Sequence, residues 1–228
     1  MSVSIVPKAA NDRSEVTRQR LIEAGLDLFA RVGYEATTTR ALADAAGTNL
    51  AAIPYHFGGK DGLYLAVAAA VNDVLHAEMD PFLNDVQKEI DGGVGSPHQA
   101  MALIERLVGD YAYVMLQRLE AEKPIRFMLR EKMEPNVSFS IIQQGPETRL
   151  REMLEQLLTF VMGRAADDIR VRLFAIQLMS MAVVFRAVRA SALTQYGWEV
   201  INVDAYNEIR AVVMDGVRIL LKGLQANR

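Results

Sequence analysis

Apolar residues along this chain recur at three- and four-residue spacing almost from end to end, and runs that alternate apolar with polar positions are nearly absent. A period near 3.6 buries one face of a helix, whereas a half-buried strand needs a period of two. The expected fold class is therefore all-α. Gly and Pro punctuation at Gly47, Gly58-Gly59, Pro81, Gly92-Gly93, Pro97, Pro124, Pro135, Gly145-Pro146 and Gly197 divides the chain into about nine or ten helices. Helices before residue 58 are short and those after residue 60 are long. With 228 residues, 51% hydrophobic and 23% charged, there is ample material for a core. No internal repeat is visible, and the one Gly-rich link is Gly92 to Gly95.

The short helices have an informative spacing. Helix 1 is expected from about Ser14 or Thr17 to Val32, with Leu21, Ile22, Gly25, Leu28, Phe29 and Val32 on one stripe. Gly33-Tyr34 ends it, and Thr37-Thr38-Thr39 offers hydroxyl caps to a second helix from Arg40 to Ala46. Gly47 can close that helix in the left-handed conformation, and Thr48 or Asn49 caps a third helix from Leu50 to about Phe57. Ala43 lies four residues before Gly47, a small side chain where two helices would cross and a glycine where the chain would reverse. This is the spacing of a helix-turn-helix. A plain three-helix subdomain shares it.

Several function classes are excluded or unsupported. The absence of cysteine removes disulfide scaffolds, thiolate metal sites and cysteine nucleophiles. His56, His76 and His98 share no ligand spacing, so no metal and no cofactor is expected. No phosphate loop, dinucleotide fingerprint, nucleophile elbow or His-Glu-x-x-His is present, which sets an enzyme last among the readings. The N-terminus lacks a basic stretch followed by an apolar run, and the most apolar window, Leu173 to Phe185, is shorter than the roughly 20 residues that cross a bilayer. A cytoplasmic protein is expected.

Residues 17 to 63 together resemble the N-terminal domain of the TetR family of transcriptional regulators. The resemblance rests on Thr17-Arg18, Ala24, Leu28-Phe29, Gly33-Tyr34, Thr37 to Ala43, Ala45-Ala46-Gly47 and Tyr55-His56-Phe57-Gly58-Gly59-Lys60-Asp61-Gly62-Leu63. Further on, Arg126 to Pro135 and the start of helix 3, Asn49 to Ile53, are similar to the CecR-like (YbiH-like) subgroup. The resemblance implies an arm over residues 1–13, a three-helix DNA-binding domain over 14–60 and a larger helical effector-binding and dimerisation domain over 61–228. It also implies that helix 3 enters the major groove of an operator. Thr38, Thr39, Tyr55 and Lys60 are then the expected phosphate contacts, and Arg40, Asn49, Leu50, Ala51 and His56 the candidates for base reading. Arg40 serves as well on phosphate or in solvent, and His56 as well in aromatic packing. Pro54 departs from the commonest family pattern. Inside a helix begun at Leu50 it would remove one backbone bond at a cost on the order of 3 kcal/mol, which predicts a tightened or bent helix 3.

After residue 60, helix 4 is expected from Asp61 to Met79, and by family analogy its pendulum shift would couple effector binding to the separation of two DNA-binding heads. From Val171 to Phe185, 12 of 15 residues are apolar, and Ile209 to Leu221 repeats the pattern. A helix apolar nearly all round is buried on more than one side. Either a large core takes both sides, or one side meets a second copy in a two-fold dimer, with Phe174, Leu178, Met181, Phe185, Val213, Val217 and Leu220 at the interface. Tyr111, Tyr113, Met115, Phe127, Met128, Phe139, Phe174 and Met179 are candidates to line a small-molecule pocket, with Arg126, Arg130 and Glu131 to place a polar group, though for any single one of them core or a solvated face is the plainer reading.

The net charge of −3 argues at first against a nucleic-acid partner. Its distribution answers the objection. Residues 1–60 hold seven basic and six acidic groups, a net +1, and the remaining residues hold 18 and 22, a net −4. The expected function is a TetR-type regulator, a repressor that binds a palindromic operator as a homodimer and is released by a small amphipathic ligand. A helical protein-interaction module without DNA binding is the alternative.

Overall fold

The computed structural model describes residues 8–118, 122–188, 194–195, 197 and 201–227. Its helices are α1 (Lys8–Ala36), α2 (Thr39–Ala45), α3 (Ala52–Phe57), α4 (Lys60–Asp91), α5 (Pro97–Gln117), α6 (Glu122–Met133), α7 (Phe139–Ile142), α8 (Pro146–Met162), α9 (Ile169–Ala187) and α10 (Val203–Ala226). No strand occurs among the described residues, as the helical period requires. The expected arm over residues 1–13 is shorter than foreseen, because α1 already runs from Lys8, where Ala9 and Ala10 are strong helix formers; residues 1–7 lie outside the described residues.

The chain divides into two compact units, and the division is not the one expected at residue 60. The first unit runs to Val74 and also takes in Lys123–Gln144; the second comprises Leu75–Glu122 and Gly145 onward. Helix α4 contributes to both. Its expected end at Met79 is also corrected, since α4 continues through Pro81 to Asp91. Proline forfeits one N–H bond, but its fixed φ suits a helix, and Met79, Leu83, Val86 and Ile90 keep an uninterrupted buried stripe across it.

In the first unit, Leu21, Phe29, Leu42, Ile53, Leu63 and Val67 are fully buried. The stripe predicted for helix 1 is thus largely core, though Val32 is exposed. Gly33, with φ of 86° and ψ of 173°, bends α1 sharply, and its carbonyl accepts the Thr37 hydroxyl at 2.6 Å. Only glycine adopts that conformation readily. Phe29, Tyr34, Tyr64 and Phe127 form one aromatic cluster, with Tyr64 edge-on to Phe29 at 4.7 Å and tilted on Phe127 at 5.2 Å.

Residues 123–144 are fastened to this unit by polar contacts that span long stretches of sequence. Glu131 is buried and accepts hydrogen bonds from the Tyr64 hydroxyl and, at 2.6 Å, from Ser138 Oγ. Burial first, and then this carboxylate, hold the Tyr64 phenol far above its ordinary pKa. Asn72 Nδ2 donates to the Ile141 carbonyl at 2.6 Å, and Lys123 pairs with Asp27 at 2.8 Å. The Arg130 guanidinium lies over Gly33. Glu131→Ala leaves two buried hydroxyls without their acceptor and is expected to destabilise this unit by about 2 kcal/mol. Glu131→Gln keeps one acceptor oxygen and should lose less. Hydrogen exchange of the α1 and α4 amides reads the effect, and equal protection in Glu131→Ala and the parent protein would refute it.

The second unit packs α5, α8, α9 and α10 with the later part of α4. Ser96 caps α5 by accepting the Gln99 N–H at 3.1 Å, with Pro97 in the first turn, and Asn202 caps α10 through Ala205. Ile104, Leu107, Leu150, Leu154, Leu157, Val171, Val217 and Leu221 supply its centre. Tyr111 is sealed within it and donates to the Glu147 carboxylate; burial, then that charge, raise its phenol pKa well above normal.

Candidate nucleic-acid interface

Helices α2 and α3 present one exposed face and one buried face. Thr38 is the N-cap of α2, extended at φ of −96° and ψ of 151°, and its Oγ1 accepts the Ala41 N–H at 3.1 Å. The hydroxyl proton remains free to donate outward. Thr39 is half-buried, while Arg40 is exposed and its guanidinium has no ion-pair or hydrogen-bond partner among the described residues. Leu42 and Ala43 face inward. Gly47 takes φ of 61°, and the Thr48 N–H closes the turn onto the Ala43 carbonyl at 3.0 Å. Thr38→Ala should cost about 1 kcal/mol of stability, the worth of a lost N-cap, and Thr38→Ser should restore most of it. Exchange rates of the α2 amides measure this directly; unchanged rates in Thr38→Ala would exclude a capping contribution.

Helix α3 begins later than its sequence pattern predicts. Leu50 and Ala51 lie in a turn closed by a three-residue bond from Ala52 N–H to the Asn49 carbonyl at 3.1 Å. The first four-residue bond runs from Tyr55 to Ala51 at 3.2 Å. Pro54 therefore sits in the first turn, where its missing N–H has no helical acceptor to lose. The predicted distortion takes the form of this tight turn ahead of the helix, and the penalty expected for an interior proline is avoided. Asn49 caps nothing with its side chain. Ile53 is fully buried and anchors the helix.

The remaining expected contacts fall around this surface. Leu50 is 54% exposed and Tyr55 80%. Ala51 is exposed as well. His56 is half-buried, edge-on to Tyr55 at 4.9 Å and tilted against Phe57 at 6.1 Å, so aromatic packing is part of its role. Lys60 Nζ stands 4.0 Å over the Tyr34 ring, an arrangement that holds the ammonium at the start of α4. The Tyr34 hydroxyl donates to Asp61, and that bond, with burial, pushes its pKa up to about 12.

In the second unit the expected pocket residues do not converge. Tyr111 and Met115 are core, and Phe174 and Met179 are half-buried on α9. Phe127, Arg130 and Phe139 belong to the first unit, where Phe127 packs on Tyr64. A groove of about 340 Å³ lies instead between α4 and α5, lined by Pro81, Phe82, Asp110, Tyr113 and Arg118. Of the pocket candidates only Tyr113 lines it. Arg118 pairs with Glu78 at 2.8 Å and stands 5.4 Å from the Tyr113 ring. Burial pushes the Asp110 carboxyl up, against the pull of Arg106 and Arg210. Of the expected interface residues, Leu178, Val213 and Val217 are buried in the chain's own core, and Phe174, Met181, Phe185 and Leu220 are half-buried. The exposed apolar side of α9 is a stripe the sequence does not single out: Ile169, Leu173, Ile176 and Val184, at 63%, 56%, 50% and 46% exposure. Val212 and Ile219 are exposed on α10. No helix among the described residues is long and apolar enough to cross a membrane.

Residues 21–67 match the family model for bacterial regulatory proteins of the tetR family, and residues 100–224 match that of the C-terminal domain of the HTH-type transcriptional dual regulator CecR. Over 215 residues the chain is 27% identical to the HTH-type transcriptional dual regulator CecR of Shigella flexneri, covering 93% of this chain and 94% of that protein. It is 43% identical over 60 residues to the HTH-type transcriptional repressor AcnR of Corynebacterium glutamicum, a match to 26% of this chain and 32% of the repressor. Among solved structures, HlyIIR, a hemolysin II transcriptional regulator, superposes with a TM-score of 0.56 at 16% identity, covering 87% of this chain and 97% of that one, which shows the shared fold. The fold, the helix-turn-helix and the two matching family models together make the chain a transcriptional regulator of the TetR family with a CecR-type C-terminal domain.

Proposed function

We propose that the protein acts as a homodimer in the cytoplasm, binds a two-fold symmetric operator through α2 and α3, and represses transcription until a small amphipathic molecule occupies the C-terminal domain. The observation that carries the DNA-binding part is the exposed set on one unit: Thr38, Arg40, Asn49, Leu50, Ala51 and Tyr55, around a helix held from behind by fully buried Ile53. Thr38, Thr39, Tyr55 and Lys60 would position the head on phosphates, which fixes register without reading sequence. The exposed stripe on α9 supports the dimer, since two copies related by a two-fold axis would match two operator half-sites about one duplex turn apart. The α4–α5 groove, with Phe82 and Tyr113 beside Asp110 and Arg118, suits a ligand having both an apolar body and a polar group.

Gel shift on the DNA upstream of the chain's own coding sequence tests this reading. A retarded band is expected at low salt, with affinity falling steeply as salt rises because phosphate contacts release counterions. Absence of any shift at low salt would favour a protein-interaction module instead. A thermal-shift screen of amphipathic compounds, followed by release of the shifted band by any hit, tests the effector.

A further inference from the structure

The outward face of the recognition segment carries a hydrocarbon patch, bordered by Asn49 on one side and by Tyr55 and His56 on the other. From Asn49 to Phe57 the sequence contains no Lys, Arg, Gln, Asp or Glu. Leu50 and Ala51, in the turn ahead of α3, and Pro54, in its first turn, are exposed, while Ile53 is fully buried. The late start of the helix produces this face: with Leu50 and Ala51 in the tight turn ahead of it, both side chains point away from the core rather than into it. Asn49 is one polar group at the edge of the patch, and its carboxamide forms no hydrogen bond among the described residues. Arg40, on the neighbouring helix, is the one arginine of α2 and likewise forms no ion pair among the described residues.

The major groove offers an apolar face only one apolar group, the C5-methyl of thymine. Against a G·C pair, Leu50 and Pro54 would cover the guanine O6 and N7 acceptors and the cytosine amino group without offering them a partner, which costs free energy. Against T·A pairs the same side chains bury methyl groups, and the free Asn49 carboxamide can pair with adenine N6 and N7. We infer that this regulator selects its operator chiefly by thymine methyl groups: the base pairs facing α3 are A·T or T·A, read by Leu50 with Ala51 and Pro54, while any guanine in the half-site faces Arg40. The inference rests on the DNA-binding reading above and adds to it the class of sequence that is bound.

The test begins with selection of duplexes from a randomised pool by the full-length protein. In the enriched half-site each thymine is then replaced singly by deoxyuridine, which deletes the methyl and leaves every hydrogen-bonding edge intact. Loss of about three- to fivefold in affinity is expected at each contacted thymine, the worth of one buried methyl-sized group. Leu50→Ala, at an exposed position outside the core, should lose that thymine-over-uracil discrimination at one or more positions while keeping its salt dependence. Equal binding of thymine and uracil duplexes overturns the inference, as does a half-site with G·C pairs at its centre or a Leu50→Ala protein with undiminished discrimination. These outcomes leave operator binding itself intact. If the pool yields no retained duplex at low salt, the DNA-binding reading falls, and the inference with it.

Discussion

Alanine at Gly62 is expected to destabilise the DNA-binding unit by about 3 kcal/mol or more, at the upper end of the cost of overpacking. The reason is space, not backbone conformation. Gly62 lies in the first turn of α4 at an ordinary helical φ, where alanine would otherwise be preferred. A Cβ there would overlap the Phe57 carbonyl oxygen and fall 2.9 Å from its carbon. Those atoms are backbone at the end of α3, fixed by the left-handed Gly58 cap, whose N–H returns to the Pro54 carbonyl at 3.0 Å. The α3–α4 junction would have to open, and Tyr55, His56 and Lys60 would move with it. Gly47→Ala is the informative control: φ is 61° there, but a Cβ meets nothing within 4 Å, so only conformational strain of about 1 kcal/mol applies. Exchange protection of α2 and α3, measured with operator affinity, should rank Gly62→Ala far below Gly47→Ala. Equal effects would show that the junction yields and that close approach is not what selects glycine.

What could be read from the sequence was local. The Thr38 cap, the Gly47 turn and the stripe of α1 depend on residues within a few positions of one another, so spacing alone locates them. The start of α3 lies two residues later than its spacing suggests, since no propensity rule distinguishes a helix that starts at Leu50 from one that starts at Ala52 when a tight turn can absorb the difference. Pro81 reads as a stop but is carried through, because the buried stripe continues on both sides of it. The largest shortfall was long-range. Glu131 meets Tyr64 across 67 positions, and nothing in helical periodicity announces that residues 123–144 belong with the DNA-binding unit rather than with the pocket. Periodicity alone therefore offers Arg130 and Phe127 as pocket candidates, whereas in the fold Arg130 donates to the Arg31 carbonyl and Phe127 packs on Tyr64.

The same limitation hides the exposed stripe on α9, and its proposed role can be tested with the second large expected effect. A helix apolar on every side gives its moment no direction, so the sequence cannot say which stripe faces the chain's own core. The structure does: Val171, Ala175, Leu178 and Ala182 are fully buried, whereas Ile169, Leu173, Ile176 and Val184 recur on the other side. Even the polar member of that outer stripe is masked, since the Ser180 hydroxyl donates to the Ile176 carbonyl at 2.7 Å. Exposed apolar side chains in such a row are what a self-complementary two-fold contact would cover. Replacing Leu173 and Ile176 together by glutamate would bring like charges together across that axis and strand them in an apolar contact. The expected product is a folded monomer in sedimentation velocity, with helical content unchanged because neither residue belongs to the core. Its affinity for the full operator should fall by about 10²- to 10⁴-fold, the factor contributed by linking two weak heads, while binding to a single half-site stays the same. Leu178→Glu, on the inner stripe, should instead unfold the C-terminal unit. A Leu173→Glu, Ile176→Glu protein that remains dimeric would place the interface elsewhere, and the net charge of +1 on residues 1–60 makes the consequence of true dissociation severe, because one such head has little nonspecific attraction to DNA on which to fall back.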